Sequence, residues 1–241
     1  MNQVTILVYT FPKVGAETPA FSRIVATLER TWKLAGRIKT VVVASHRFAA
    51  LEGFLAQNPD VELQIEPSLV FGDIKTMSLD CIRSLYKRFS TPYVLIVQDD
   101  GFPIRSGMEE FLGKYDFIGA PIICDGWKRK LCYVIGFGSF NGGFSLRSHR
   151  YCEYAAQKWE SFFSRFMSER SRHLGEDFYY TTLLKLLPET HFRFKFPSER
   201  EAFKFAYDSL GGKVALPIGV EPFGLHGAVA REFLQSGDNA E

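Results

Sequence analysis

Three short apolar runs, spaced by stretches of helical periodicity, constrain this chain more than any other feature. Residues 4–9, 40–44 and 93–98 are nearly continuous in Val, Ile, Leu and Tyr, the pattern of strands buried on both faces. Between the first two, Thr18 and Pro19 read as N-cap and first helical residue. Phe21, Ile24, Val25, Leu28 and Trp32 then recur at helical spacing until Gly36 ends the run. A short helix is expected over 47–57 and an alternating, half-exposed strand over 61–65. Asp73 can cap a helix with Ile74, Met77, Cys81, Ile82, Leu85 and Phe89 on its apolar face. Strand, helix, strand repeated from the first residue predicts parallel strands joined by right-handed crossovers. The expected fold is therefore α/β: a Rossmann-like, mostly parallel central sheet flanked by helices, with a mixed C-terminal part. We expect one domain over 1–235, whose pattern changes after residue 100, and a disordered tail at 236–241.

Open sheets of this kind bind nucleotides at the carboxyl ends of their strands. The strand over 93–98 ends in Gln98, Asp99 and Asp100, followed by Gly101. Adjacent carboxylates there suit a hard divalent cation, although a solvated loop would carry the same residues. The chain contains neither Gly-x-Gly-x-x-Gly nor Gly-Lys-Ser/Thr, so phosphates need another anchor, and a metal on Asp99 and Asp100 supplies one. Lys75 and Arg83 on the third helix are further candidates for phosphate, or ordinary solvent-facing charges.

Composition narrows the partners. A formal net charge of +2 over 241 residues, with only a short basic cluster at Trp127-Lys128-Arg129-Lys130, favours neither nucleic acid nor a membrane surface. No apolar run approaches the ~20 residues of a membrane span, and the N-terminus shows no signal-peptide pattern. Cys81, Cys124, Cys132 and Cys152 form no C-x-x-C pair, which argues against a disulfide scaffold or zinc and for a reduced, cytoplasmic setting.

Beyond Asp100 the pattern changes. Ser106 and Glu109 make a capping box for an expected helix carrying Met108, Phe111 and Leu112. Residues 117–121 read as a short strand ending at Pro121, and 122–137 as an irregular loop expected to move over the site. Asn141, Gly142 and Gly143 imply a close backbone approach, or a hairpin turn. An aromatic-striped helix is expected over 150–166. Gly175, Glu176 and Asp177 then open a helix over 178–187, where acidic residues suit the dipole and could also provide a general base. Residues 203–207 look like a strand. His226, flanked by Gly and Pro after it, can reach back to a metal.

In this order the pieces resemble a family of uncharacterised, glycosyltransferase-like proteins with the GT-A nucleotide-diphosphosugar transferase fold. Its pattern runs Gln-x-Asp, Tyr-Asp-x-Ile-Gly-Ala-Pro, Asn-Gly-Gly-x-Ser-Leu-Arg, Glu-Asp, and Pro-x-Gly-x-His. The chain shows Gln98-Asp99-Asp100, Tyr115-Asp116-Phe117-Ile118-Gly119-Ala120-Pro121 and Asn141-Gly142-Gly143-Phe144-Ser145-Leu146-Arg147, then Glu176-Asp177 and Pro222-Phe223-Gly224-Leu225-His226. Ile122 stands where the family usually has an aromatic residue. Phe205-Ala206-Tyr207-Asp208 matches a late family segment only loosely, and no role is carried to Asp208.

The resemblance implies a metal-dependent, hexosyltransferase-like glycosyltransferase, with a nucleotide-binding half (1–100) and an acceptor and catalytic half (101–235). It would move a sugar from a nucleotide-diphosphosugar to a hydroxyl acceptor, a glycan or glycoconjugate, as in polysaccharide biosynthesis. Asp100 and His226 would hold Mn²⁺ or Mg²⁺, with Asp99 a further ligand or a ribose contact, the histidine nitrogen favouring Mn²⁺. Asp177 is the expected base, with Glu176 the alternative, which implies inversion at the anomeric carbon. Asn141, Gly142 and Gly143 would floor the donor sugar or the acceptor, and Thr10 and Phe11 would wall the nucleobase. Two rivals stand beside this reading. One is a sugar nucleotidyltransferase of the same fold, for which Thr10-Phe11-Pro12-Lys13-Val14-Gly15 is a poor Gly-rich loop. The other is a non-catalytic carbohydrate- or protein-binding module.

Overall fold

The computed structural model describes residues 3–13, 15, 17–71, 73–122, 139–166, 175–209 and 215–236. The loop expected over 122–137 (beyond Ile122), the basic cluster at 127–130, Cys124, Cys132 and the tail beyond Ser236 lie outside these residues.

A six-stranded sheet runs β3-β2-β1-β4-β7-β6. Its strands are β1 (Val4–Thr10), β2 (Thr40–Ala44), β3 (Val61–Ile65), β4 (Tyr93–Val97), β6 (Phe117–Ile122) and β7 (Ser139–Ser148). β1 pairs in parallel with both β2 and β4, and β2 with β3. β7 is antiparallel to β4 and β6, so it alone runs against the rest. The apolar runs earn their central places because both faces are covered. Ile6 and Val8 pack with α1 (Glu17–Ala35) and α2 (Ala49–Gln57) through Phe21, Leu28, Trp32 and Phe54. Leu7 and Tyr9 pack on the other face against α3 (Ile74–Arg83) and the helix His149–Lys158, through Met77, Cys81, Tyr151 and Tyr154. Each such apolar side chain contributes about 1.5–3 kcal/mol by leaving water.

A second, three-stranded sheet, β5-β9-β8, is built from β5 (Gly101–Pro103), β9 (Gly224–His226) and β8 (Ala206–Tyr207). β5 and β9 are antiparallel, with Gly101 opposite His226. This small sheet returns the C-terminal part of the chain to the end of β4.

Local expectations failed where aromatics or glycine override a simple period. The helix expected from Ser106 is one 3₁₀ turn, Met108–Glu110. Gly107 sits there at φ 113°, a left-handed entry that a continuous helix does not use. The strand expected over 203–207 is instead the helix Glu199–Phe205, with strand only at Ala206–Tyr207. Its capping box between Ser198 and Glu201 outweighs the Phe-rich alternation. The aromatic helix turns into a π-helix at Trp159–Phe163, and the segment after Asp177 does the same at Tyr179–Leu183. These widened turns meet where Trp159 and Phe163 both sit edge-on to Tyr179, with ring centroids 5.4 and 5.3 Å apart. A further helix, Ala228–Gln235, follows Gly227 and lies beyond the elements expected from the sequence. Among the described residues no helix is long and apolar enough to cross a membrane.

Candidate active site

The strand order reverses between β1 and β4, so the crevice at their carboxyl ends is the sheet's topological switch point. A cavity of about 460 Å³ opens there, lined among others by Thr10, Phe11, Arg23, Phe71, Asp99 and Asp100. That volume is within the range of small-molecule sites, roughly 300–1,000 Å³. Thr10 is buried, and its hydroxyl lacks a hydrogen-bond partner among the described residues. Phe71 and Ile74 present exposed apolar side chains to the cavity, 57% and 64% accessible. Tyr9 forms part of the wall and donates to Asp80 at 2.7 Å, and Arg88 also hydrogen-bonds Asp80 at 2.7 Å, tying α3 to β1. Lys75 and Arg83 are exposed and do not line this cavity.

Asp99 and Asp100 are the two central residues of a tight turn. Gln98 and Gly101 exchange backbone hydrogen bonds of 3.1 Å around them. The Gly227 amide donates to the Asp100 carbonyl at 2.7 Å, from a backbone at φ 72° that favours glycine. The two carboxylates then part. Asp99 Oδ2 accepts from Arg23 Nε at 3.0 Å, facing the cavity from β4's end toward α1. Asp100 Oδ2 accepts from Arg231 Nη1 at 2.5 Å, and its Oδ1 lies 3.8 Å from His226 Nε2.

His226 is buried and its other nitrogen, Nδ1, lies 3.0 Å from Asp208 Oδ2. A carboxylate accepts, so Nδ1 is the donor to Asp208 and Nε2 is the nitrogen that faces Asp100. Two atoms that share a cation at roughly 2.1 Å each sit about 3–4 Å apart, so the Asp100–His226 pair has suitable spacing. A carboxylate behind the histidine is the usual support for a metal ligand. Asp99 does not join them. Among the described residues no group of three or more His, Cys, Asp or Glu side chains is gathered around a common point. Further ligands would come from donor phosphates and water, the habit of Mg²⁺ and Mn²⁺ sites in phosphate chemistry.

Asn141, Gly142 and Gly143 lie inside β7 and not in a hairpin turn. Successive strand residues face opposite ways, and the two glycines admit different neighbours. A Cβ on Gly143 would collide with His226 Nε2 and Gln98 Oε1, and one on Gly142 with Glu176 Oε1 and Arg147 Nη2. The Asn141 side chain accepts from the Gly143 amide at 2.7 Å, shaping this stretch. The motif around Asp116 is structural: its carboxylate accepts from Ser148, Arg150 and the Lys195 amide at 2.6–2.9 Å.

Glu176 and Asp177 begin a short helical segment and diverge. Glu176 turns inward, where Oε2 accepts from Ser78 at 2.9 Å and Oε1 from Arg147 at 3.5 Å. Asp177 stays half-buried and accepts from the Phe178 amide at 2.7 Å. Burial, then the neighbouring Glu176 charge, pushes the Asp177 carboxyl up to about 6. The described cysteines are free and buried, and burial pushes the Cys152 thiol up to about 12, which makes neither a metal ligand nor a nucleophile at neutral pH.

A family profile described as "Protein of unknown function (DUF5672)" matches residues 60–226. The chain belongs to this family. The match begins well before Tyr93, where the recognisable motifs start, and ends at His226. No curated protein matches the chain by sequence. Among solved structures, the DUF5672 chain is similar to mouse xyloside xylosyltransferase 1 in its apo form. That match has a TM-score of 0.57 and 11% identity, and covers 94% of this chain and 98% of the mouse chain. It is also similar to the apo glycosyltransferase GlyE of Streptococcus pneumoniae TIGR4, with a TM-score of 0.54 and 10% identity over 94% of this chain. The DUF5672 chain spans about half of that protein, 54%. At such identities the likeness carries the fold, which is GT-A-like.

Proposed function

We propose that this DUF5672 protein is a metal-dependent, inverting glycosyltransferase that moves a sugar from a nucleotide-diphosphosugar to a hydroxyl of a glycan or glycoconjugate. The observation that carries the reading is the Asp100–His226 pair, 3.8 Å apart with Asp208 behind it, beside a cavity at the switch point. The names of the structural neighbours, a xylosyltransferase and a glycosyltransferase, support the same chemistry.

In this reading Thr10, Phe11 and Phe71 take the nucleoside, and Asp99 with Arg23 faces the ribose and phosphate end. Asp100 and His226 would hold Mn²⁺ or Mg²⁺, whose charge offsets the negative charge gathering on the leaving diphosphate. Asn141, Gly142 and Gly143 would form the floor under the sugar or acceptor, the bare glycines letting His226, Gln98 and Glu176 pack against β7. Asp177 takes the proton from the acceptor hydroxyl as its oxygen bonds to the anomeric carbon. The bond from that carbon to the diphosphate oxygen breaks, releasing a nucleoside diphosphate, and a single displacement inverts the centre. A carboxylate titrating near 6 is ionised at neutral pH and more basic than an ordinary aspartate.

The test is binding of UDP or GDP with Mn²⁺, followed by a nucleotide-sugar screen for donor hydrolysis. Asp100→Ala should abolish the metal-dependent part of binding. Unchanged affinity in that variant would remove the metal site, and pyrophosphate as product would point to a nucleotidyltransferase instead.

A further inference from the structure

The buried cluster beneath Asp177 has no part in the reading above. Arg147 is fully buried on β7, and a guanidinium cannot shed its charge there. Its Nε donates to Ser145 at 3.0 Å and its Nη2 to the Gly142 carbonyl at 3.0 Å, while the cation lies over the Phe117 and Tyr180 rings. Nη1 has no partner among the described residues. A buried cation needs a counter-charge, and Glu176 supplies it. Glu176 is also gripped from α3 by Ser78 at 2.9 Å. The three residues meet across Gly142, where any Cβ would collide with both charged groups. Thus α3 and β7 both hold the residue next to Asp177.

We propose that Glu176 is a positioning residue for Asp177, locked by Ser78 and Arg147 across the face that Gly142 leaves bare. The proposal rests on Asp177 being the base. Two consequences follow from the geometry. The backbone at 176–177 cannot drift, so the Asp177 carboxylate keeps its place when an acceptor arrives. The fixed negative charge of Glu176 also favours the protonated form of Asp177, the state it reaches as the acceptor loses its proton. The charged groups facing Asp177 are Glu176 on its own segment and Arg147 on β7, which act in opposite directions. α3 brings Ser78 and the Cys81 thiol to the same cluster, and burial keeps that thiol protonated.

The experiment follows the Asp177 side-chain carboxyl by carbon-13 NMR through a pH titration, which needs no substrate. The wild-type midpoint is expected near 6. Glu176→Gln removes the charge and leaves Arg147 unopposed, so the midpoint should fall by roughly one pH unit. A wild-type midpoint in that variant overturns the proposal. Ser78→Ala removes a hydroxyl and no charge, and covers the case in which Glu176→Gln does not fold. There the Glu176 carboxylate loses one of its two anchors, and the Asp177 midpoint should move measurably from its wild-type position. An Asp177 curve identical to wild type overturns the proposal equally. Should Asp177→Asn transfer sugar at the wild-type rate while Glu176→Gln still moves the midpoint, the base assignment falls and the coupling stands.

Discussion

Asp208 Oδ2 stands 3.0 Å behind His226 Nδ1, and both side chains are buried. The pairing sets the tautomer and aims Nε2 at Asp100, which gives a loosely matched residue a definite place. Asp208→Asn should leave the fold intact and weaken Mn²⁺ binding about 10–100-fold, the usual cost of losing a carboxylate behind a metal-bound histidine. Isothermal titration with Mn²⁺ and nucleoside diphosphate checks this, and wild-type affinity would remove Asp208 from the site.

Arg231 holds Asp100 Oδ2 at 2.5 Å from the C-terminal helix, yet its own side chain is 58% exposed. An arginine so placed competes with a cation for the same oxygen. Arg231→Ala should therefore tighten Mn²⁺ binding by up to ~5-fold, the range of an exposed ion pair. A loss of Mn²⁺ affinity would show that Arg231 supports the ion instead.

Phe71 exposes a large ring on the cavity, so its removal costs little stability. Phe71→Ala should weaken nucleoside diphosphate binding roughly 10-fold, while pyrophosphate with Mn²⁺ binds as before. Equal losses for both ligands would place the nucleobase elsewhere.

Gly143 faces His226 and Gln98 with no room for a side chain. Gly143→Ala must push His226 away from Asp100 or distort β7, at a cost of about 1–3 kcal/mol. We expect a lower melting temperature together with lost Mn²⁺ protection in a thermal-shift assay.

Asp177 yields both a rate and a stability prediction. Asp177→Asn should bind donor normally and transfer sugar at least ~100-fold more slowly. The unfolded carboxyl titrates near ~3.9 and the folded one at about 6, so the native state binds more protons between these values. Stability from this group is thus full below pH ~4 and is lost as pH rises through about 6. Asn carries no such cost. Its melting temperature should exceed wild type by at least ~3 °C at pH 7.5, with the gap closing near pH 4. An equal gap at both pH values would contradict the raised carboxyl.

How much of this was legible depends on the range of the interaction. The runs at 4–9, 40–44 and 93–98 and the helical spacing between them already imply a parallel sheet, because two-sided burial leaves a periodic mark on the residues themselves. Asp99 and Asp100 at the end of β4, and the cavity wall at Thr10 and Phe11, follow from that topology. The capping box between Ser198 and Glu201 prevails over the alternating phenylalanines that suggest a strand, and the π turns at Trp159 and Tyr179 meet through rings 20 residues apart in sequence. Only tertiary structure decides which carboxylate meets which partner. The pairing of Gly101 with His226 brings Asp100 to the histidine, Arg23 draws Asp99 the other way, and Ser78 with Arg147 turns Glu176 inward. Charges act through space and burial, neither of which has a period, so a sequence can nominate these residues but their division of labour appears only once the strands are paired.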